Sequence, residues 1–143
     1  MQNNARPWSI FIVALVVVIA VVGLWLLGPW GSNAAAAGLE GKTWRLVSIN
    51  GQPVIPNSQA MVKFEGGKLS GNSSVNSIGG SYQVRGTTLT LSDLASTLMA
   101  SADPALNQQE TAMLGILQGQ LSFTVNGNQL ELASAQGKLT FSA

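Results

Sequence analysis

Two hydrophobic patterns divide the chain. From Trp8 to Leu27 it reads WSIFIVALVVVIAVVGLWLL, with only Ser9 and Gly23 outside the hydrophobic set and no charge. A helix of that length rises ~30 Å, the thickness of a bilayer's hydrocarbon core. After Thr43 the apolar positions instead come in short alternating runs, the period of half-buried strands. These runs are Thr43–Ile49, Ala60–Phe64, Lys68–Ser70, Ser81–Arg85, Thr87–Leu91, Gln120–Val125, Gln129–Ala133 and Lys138–Phe141. In the first, Trp44, Leu46 and Ser48 share one face and Arg45, Val47 and Ile49 the other. Asn50-Gly51, Gly66-Gly67, Gly86, Asn126-Gly127 and Gln136-Gly137 supply turns between runs. Pro53 and Pro56 keep the segment after the first turn irregular or at an edge. Gly71–Gly80 reads as a loop of small polar residues, and Asp93–Ala100 fits either extended chain or a helical turn.

One helix interrupts the strands. Asp103 is a good N-cap, because its carboxylate accepts from backbone N–H groups that lack a helical partner, and Pro104 suits the first helical position. Leu106, Met113, Leu114 and Leu117 make an apolar stripe, and Gly119 supplies the stop. The helix is therefore expected over Pro104–Gln118. Consecutive strands joined by tight turns make an antiparallel meander. The expected fold is α+β: an antiparallel, strongly twisted sheet of about seven or eight short strands packed on one helix, preceded by one transmembrane helix. The chain divides into a cytoplasmic N-terminus (residues 1–7), a transmembrane signal anchor (8–30), a small-residue spacer (31–38) and one domain (39–143).

The apolar stretch is longer than the ~7–15 residues of a secretory signal. Gly28-Pro29-Trp30 also separates it from Ala34–Ala37, the one stretch resembling a cleavage site. Trp8 near one end and Trp25 and Trp30 near the other suit the two membrane interfaces. Arg6 is the only charge before the span, which places the N-terminus in the cytoplasm and residues 31–143 outside, in the periplasm of a bacterial inner membrane. The lipid bilayer is thus the first expected partner.

Composition narrows the chemistry. The chain has no cysteine and no histidine. Disulfides, thiol catalysis and cysteine-held metal are excluded, and the commonest general base and metal ligand are missing. Apart from Arg6, six basic residues meet six acids, interspersed along the domain, so no nucleic-acid footprint appears. Asn72, Asn76 and Tyr82 form the most suggestive polar cluster. Turn geometry and internal hydrogen bonds explain it better than a binding surface does. Ser96 and Thr97 with Asp103 and Glu110 offer hydroxyls and carboxylates but no base, and an N-cap Asp103 and a helix-surface Glu110 account for the acids. Asp93 with Asp103 falls short of the six or more oxygens calcium takes. Met99 and Met113 read as core fillers. No catalytic residue, cofactor or metal is expected.

Three stretches resemble the META domain of the HslJ-like family. They are LEGKTWRLVSING at Leu39–Gly51, GNSSVNSIGGSY at Gly71–Tyr82 and LASTLMASADPA at Leu94–Ala105, the last running into Gln109-Glu110. The motif positions are Trp44, Gly71, Asn76, Gly80, Tyr82, Met99, Asp103, Pro104 and Glu110, read as structural. Where the resemblance implies a cysteine pair, this chain has Val75 and Ser101, and Leu98 stands where a basic residue is common. The resemblance implies an α+β envelope domain without enzymatic chemistry.

The expected function follows from topology. It is a non-catalytic, single-pass membrane protein acting by contact, an accessory subunit of a larger respiratory, photosynthetic or secretory inner-membrane complex. The alternative is a stand-alone envelope-stress or ligand-binding protein, released by cleavage near Ala36.

Overall fold

The computed structural model describes residues 33–143. The expected span, and Trp8, Trp25 and Trp30 expected at its interfaces, lie outside the described residues. Among the described residues no helix is long and apolar enough to cross a membrane.

The elements run α1 (Asn33–Leu39), β1 (Thr43–Ile49), β2 (Gln52–Pro53), β3 (Met61–Glu65), β4 (Lys68–Asn72), β5 (Ser77–Arg85) and β6 (Thr88–Ser96). Then come α2 (Pro104–Ile116), β7 (Gln120–Asn126), β8 (Gln129–Ser134) and β9 (Gly137–Ser142). Every strand pairing is antiparallel. β1 pairs with both β3 and β9, so the meander closes into a barrel of eight staves, with the two-residue β2 added beside β1. This corrects the expected layer of sheet on helix. Closure removes both edges of the sheet, and the core lies inside the barrel instead of between sheet and helix.

Alternation explains what fills it. Trp44, Leu46, Val62, Phe64, Leu69, Leu89, Leu91, Leu121, Phe123, Leu130, Leu132, Leu139 and Phe141 all turn inward and are buried. Two irregularities adjust the strands. Between Leu46 and Ser48 the β1–β9 register slips by one residue. The extra residue, Val47, is left outside, and Ile49, expected on the outer face with it, packs against the core. On β6, Asp93 and Leu94 together oppose Gly80 of β5. Asp93 has φ 54°, and a Cβ on Gly80 would lie 3.1 Å from the Ser92 carbonyl oxygen. Gly71 is tighter still, since a Cβ there would come within 2.2 Å of the Met61 carbonyl oxygen on β3. Gly71 thus allows strands to approach where any side chain would push them apart, and Gly80 sits where a side chain would be tight.

Three further stretches take definite form. The Gly71–Gly80 stretch is mostly strand, with only Ser73–Asn76 between β4 and β5. Small residues there serve close packing, not loop flexibility. Asp93–Ser96 continues β6. The spacer is helical over Asn33–Leu39, its alanines being good helix formers.

The connections sort the helices to opposite ends. The β3–β4, β5–β6 and β7–β8 turns gather at the end where α1 enters. The β4–β5 and β8–β9 turns and the β6–β7 connection through α2 gather at the other. β6 meets β7 only over Thr88–Thr90, leaving α2 and its flanking segments to close that end.

Candidate functional site

The richest polar chemistry lies where α2 meets the strands. Asp103 caps α2 as expected, its carboxylate accepting from Ala105 N–H at 2.9 Å, with Pro104 at the first position. From there the helical period carries Gln109 and Glu110 to the buried face beside Met113 and Ile116. Glu110 is therefore not on the helix surface; it is 8% exposed. The apolar stripe marked this face incompletely, because its middle turn is polar.

Glu110 accepts hydrogen bonds on both carboxylate oxygens. Oε1 takes the Ser73 hydroxyl and the Asn76 backbone N–H at 2.9 Å; Oε2 takes Asn76 Nδ2 at 2.8 Å. Asn76 is the hub. Its Nδ2 also reaches Met99 O at 2.9 Å, and its Oδ1 accepts from Met99 N at 2.7 Å and Thr97 Oγ1 at 2.9 Å. Gln109 extends the network, accepting from Ile55 N at 2.7 Å and donating to Ser74 Oγ at 2.8 Å. Asn72 Oδ1 accepts from Ser74 N at 2.8 Å, which shapes the β4–β5 turn. No buried side-chain polar atom among the described residues lacks a partner. Groups satisfied in this way hold structure and are not available to a substrate.

The network has a product. Asn76 grips both backbone polar groups of Met99, so the chain just beyond β6 is pinned while its side chains face out. Leu98 is 99% exposed and Met99 63% exposed. Met99 is thus not a core filler; Met113 is, at 0%. Ala100 and Ala102 beside them are exposed too, and together they form a small apolar tip.

Ser96, Thr97, Asp103 and Glu110 are not brought together as one group. Ser96 Oγ donates to the Thr97 carbonyl at 2.8 Å, Thr97 Oγ1 is spent on Asn76 Oδ1, and Asp103 is occupied with its cap. Among the described residues no three His, Cys, Asp or Glu side chains gather as a metal site. The Asn72, Asn76 and Tyr82 cluster is also split. Tyr82 lies at the α1 end, donating to Glu40 and packing edge-on to Phe64 with ring centroids 5.1 Å apart. Burial, with the Glu40 hydrogen bond and charge behind it, pushes the Tyr82 phenol up to about 12. Nearby, Trp44 Nε1 donates to the Leu39 carbonyl at 2.8 Å, and Lys42 Nζ sits 5.2 Å from the Trp44 ring centre.

Ser73, Gln109 and Glu40 carry key bonds that composition and turn chemistry did not single out. The available signal was helical spacing: Gln109 and Glu110 lie three and four residues after Leu106, and Met113 seven. The Asn76–Met99 bonds also join the segments carrying Val75 and Ser101.

Comparison with proteins of curated function finds no match. Among solved structures, one NMR structure is 29% identical, with a TM-score of 0.65, covering 74% of this chain and 92% of its own. An NMR structure of a protein from Burkholderia xenovorans is 25% identical, with a TM-score of 0.60, covering 76% and 86%. The crystal structure of a duf4847 family protein from Bacteroides vulgatus shares the fold at 17% identity and a TM-score of 0.50, covering 73% and 93%. The profile that describes the META domain matches residues 37–143, the whole barrel with α2, and the chain belongs to the META domain family.

Proposed function

We propose that this is a non-catalytic, membrane-anchored envelope protein whose META domain works by contact, as an accessory subunit of a larger inner-membrane complex. The observation that carries the reading is the pinned apolar tip. Leu98 and Met99 are exposed while the backbone of Met99 is bonded on both sides by a buried asparagine. A contact made by an already ordered segment loses less entropy on association than one made by a mobile loop. The anchor is Trp8–Leu27, with Arg6 on the cytoplasmic side and the barrel in the periplasm.

The test starts from native membranes extracted in mild detergent. The full chain is expected to migrate in a large, defined complex on a native gel. A photo-crosslinking residue at position 98 should capture an integral-membrane neighbour. Leu98→Asp with Met99→Ser should release the chain from the complex without unfolding it. Comigration unchanged by that double variant rules out the tip. Migration alone, near the chain's own mass plus detergent, overturns the subunit role in favour of a stand-alone envelope protein. An intact mass matching cleavage near Ala36 removes the anchor.

A further inference from the structure

A cleft of about 660 Å³ crosses the outer face of β1, β3 and β4, lined by Arg45, Gln59, Met61, Lys63, Ser70 and Asn72. The register accounts for it. Arg45 stands opposite Met61, Met61 opposite Asn72 and Lys63 opposite Ser70, all on the face away from the core. Gly79 follows opposite Ser70 on β5 and adds no side chain, so the floor stays low.

The charge on this face is one-sided. Glu65 pairs with Lys63 at 3.2 Å, both exposed, and lies opposite Lys68, which donates to Ser81 Oγ at 3.0 Å. Among the described residues Arg45 has no carboxylate within ion-pair distance. Three cations (Arg45, Lys63, Lys68) against one acid (Glu65) leave two positive charges in surplus. An exposed Lys–Glu pair is weak and yields readily to a competing anion.

A second cleft of about 180 Å³ shares Arg45 and Gln59 and continues over Val54, Ile55 and Pro56. Its wall, the chain between β2 and β3, is fixed from behind by the Ile55 N–H bond to Gln109. Gln59 holds φ of 55° there, a left-handed backbone that a long side chain rarely adopts. Such conformations persist where the surroundings impose them and recur at binding sites.

We infer that this groove binds a small phosphate monoester, with the phosphate between Arg45 and Lys63 and the organic group over Val54–Pro56. A phosphate monoester carries about −1.5 to −2 charges at neutral pH, which matches the surplus on the face. The Arg45 guanidinium presents a planar fork of donors suited to two phosphate oxygens, and Lys63 adds a point charge. Ser70, Gln59 and Asn72 supply neutral polar groups for ester or hydroxyl oxygens. The larger cleft falls within the ~300–1,000 Å³ range of small-molecule sites. The inference stands apart from the apolar tip and does not rest on the subunit role.

The methionines provide the measurement. Met61 lines the cleft, Met99 lies on the tip and Met113 in the core. The full chain, methyl-labelled at methionine and held in phosphatidylcholine nanodiscs, is titrated with butyl phosphate, inorganic phosphate, butyrate and butanol. Butyl phosphate should move the Met61 methyl saturably while Met99 and Met113 stay in place. Inorganic phosphate should bind several-fold more weakly, butyrate about tenfold more weakly, and butanol should leave Met61 unmoved. Arg45→Gln should weaken butyl phosphate about tenfold and Lys63→Gln several-fold, with an unchanged Met113 methyl certifying the barrel. No saturable Met61 shift, butyrate equal to butyl phosphate, or full binding retained in a folded Arg45→Gln protein would each overturn the proposal.

Discussion

Both ends of the barrel are covered by a helix, and both coverings bring a glutamate to the strands, yet they are built on different principles. At the α2 end a 13-residue helix inserts Gln109 and Glu110 among the turns, and the polar groups bond to one another until each is satisfied. At the α1 end a seven-residue helix docks by packing. Leu39 is fully buried, Trp44 donates to its carbonyl, and a single phenol reaches Glu40. A helix that short is marginal alone and depends on its tertiary contacts. The lesson is one of cooperativity. A closed polar network fails as a unit when its hub is lost, whereas a packed flap is expected to loosen locally and leave the barrel standing.

The largest effect is therefore expected at the hub. Asn76→Ala removes four side-chain hydrogen bonds and strands a buried Glu110 oxygen together with both backbone groups of Met99. The cost should be about 3–5 kcal/mol, because an unpaired buried charged or polar group is penalised far more than the bond it lost was worth. Denaturant unfolding would show it as a lower midpoint, and hydrogen exchange should rise together in α2, the β4–β5 turn and residues 97–101. A loss below ~1 kcal/mol would show that the network is not cooperative, and the contrast between the two ends would collapse.

The contrast also marks what was legible beforehand. The staves were readable because period-2 alternation in Ala60–Phe64, Gln120–Val125 or Lys138–Phe141 states which side is buried. Barrel closure was not, because the β1–β9 pairing joins strands at opposite ends of the domain and no local pattern encodes it. The Gly71–Gly80 stretch misled for a related reason. Glycine and serine look like loop residues, but Gly71 and Gly80 are small because neighbouring backbone lies against them. At the site, Asn76 and Glu110 stood out through resemblance. Their partnership did not, since it links residues 34 positions apart. Glu110 read as a surface residue because acids are rarely buried, a rule broken here by three hydrogen-bond donors.

An intermediate effect is expected at Trp44. Trp44→Phe keeps an aromatic ring in the core but leaves the Leu39 carbonyl without its donor and opens a small void. The cost should be about 2 kcal/mol. Its distribution matters more than its size. Exchange of the α1 amides should accelerate while α2 and the β4–β5 turn stay protected. Equal acceleration at both ends would mean that the flap and the network belong to one cooperative unit.

The smallest effect at neutral pH belongs to Tyr82, and pH makes it informative. Tyr82→Phe loses one hydrogen bond to a half-exposed carboxylate, about 1 kcal/mol. Well above neutrality that advantage of the wild type should disappear. The folded phenol is pushed up from 10.0 to about 12, first by burial and then by Glu40, with Glu65 adding a little and the Gly67 contact opposing. The unfolded chain gives up this proton near pH 10 while the folded chain keeps it, so over that interval the unfolded state binds fewer protons. Stability held through Tyr82 is then whole below pH 10 and lost progressively between pH 10 and 12. The wild-type minus Tyr82→Phe difference in unfolding free energy should fall across that window, whatever the lysines contribute to both. Because Tyr82 is the sole tyrosine, its phenolate absorbance reports the same titration directly. A midpoint at 10 in the folded protein would mean that water reaches the phenol and that α1 stands open. A midpoint near 12 that drops to 10 in Trp44→Phe would show the flap to be what keeps that end of the barrel dry.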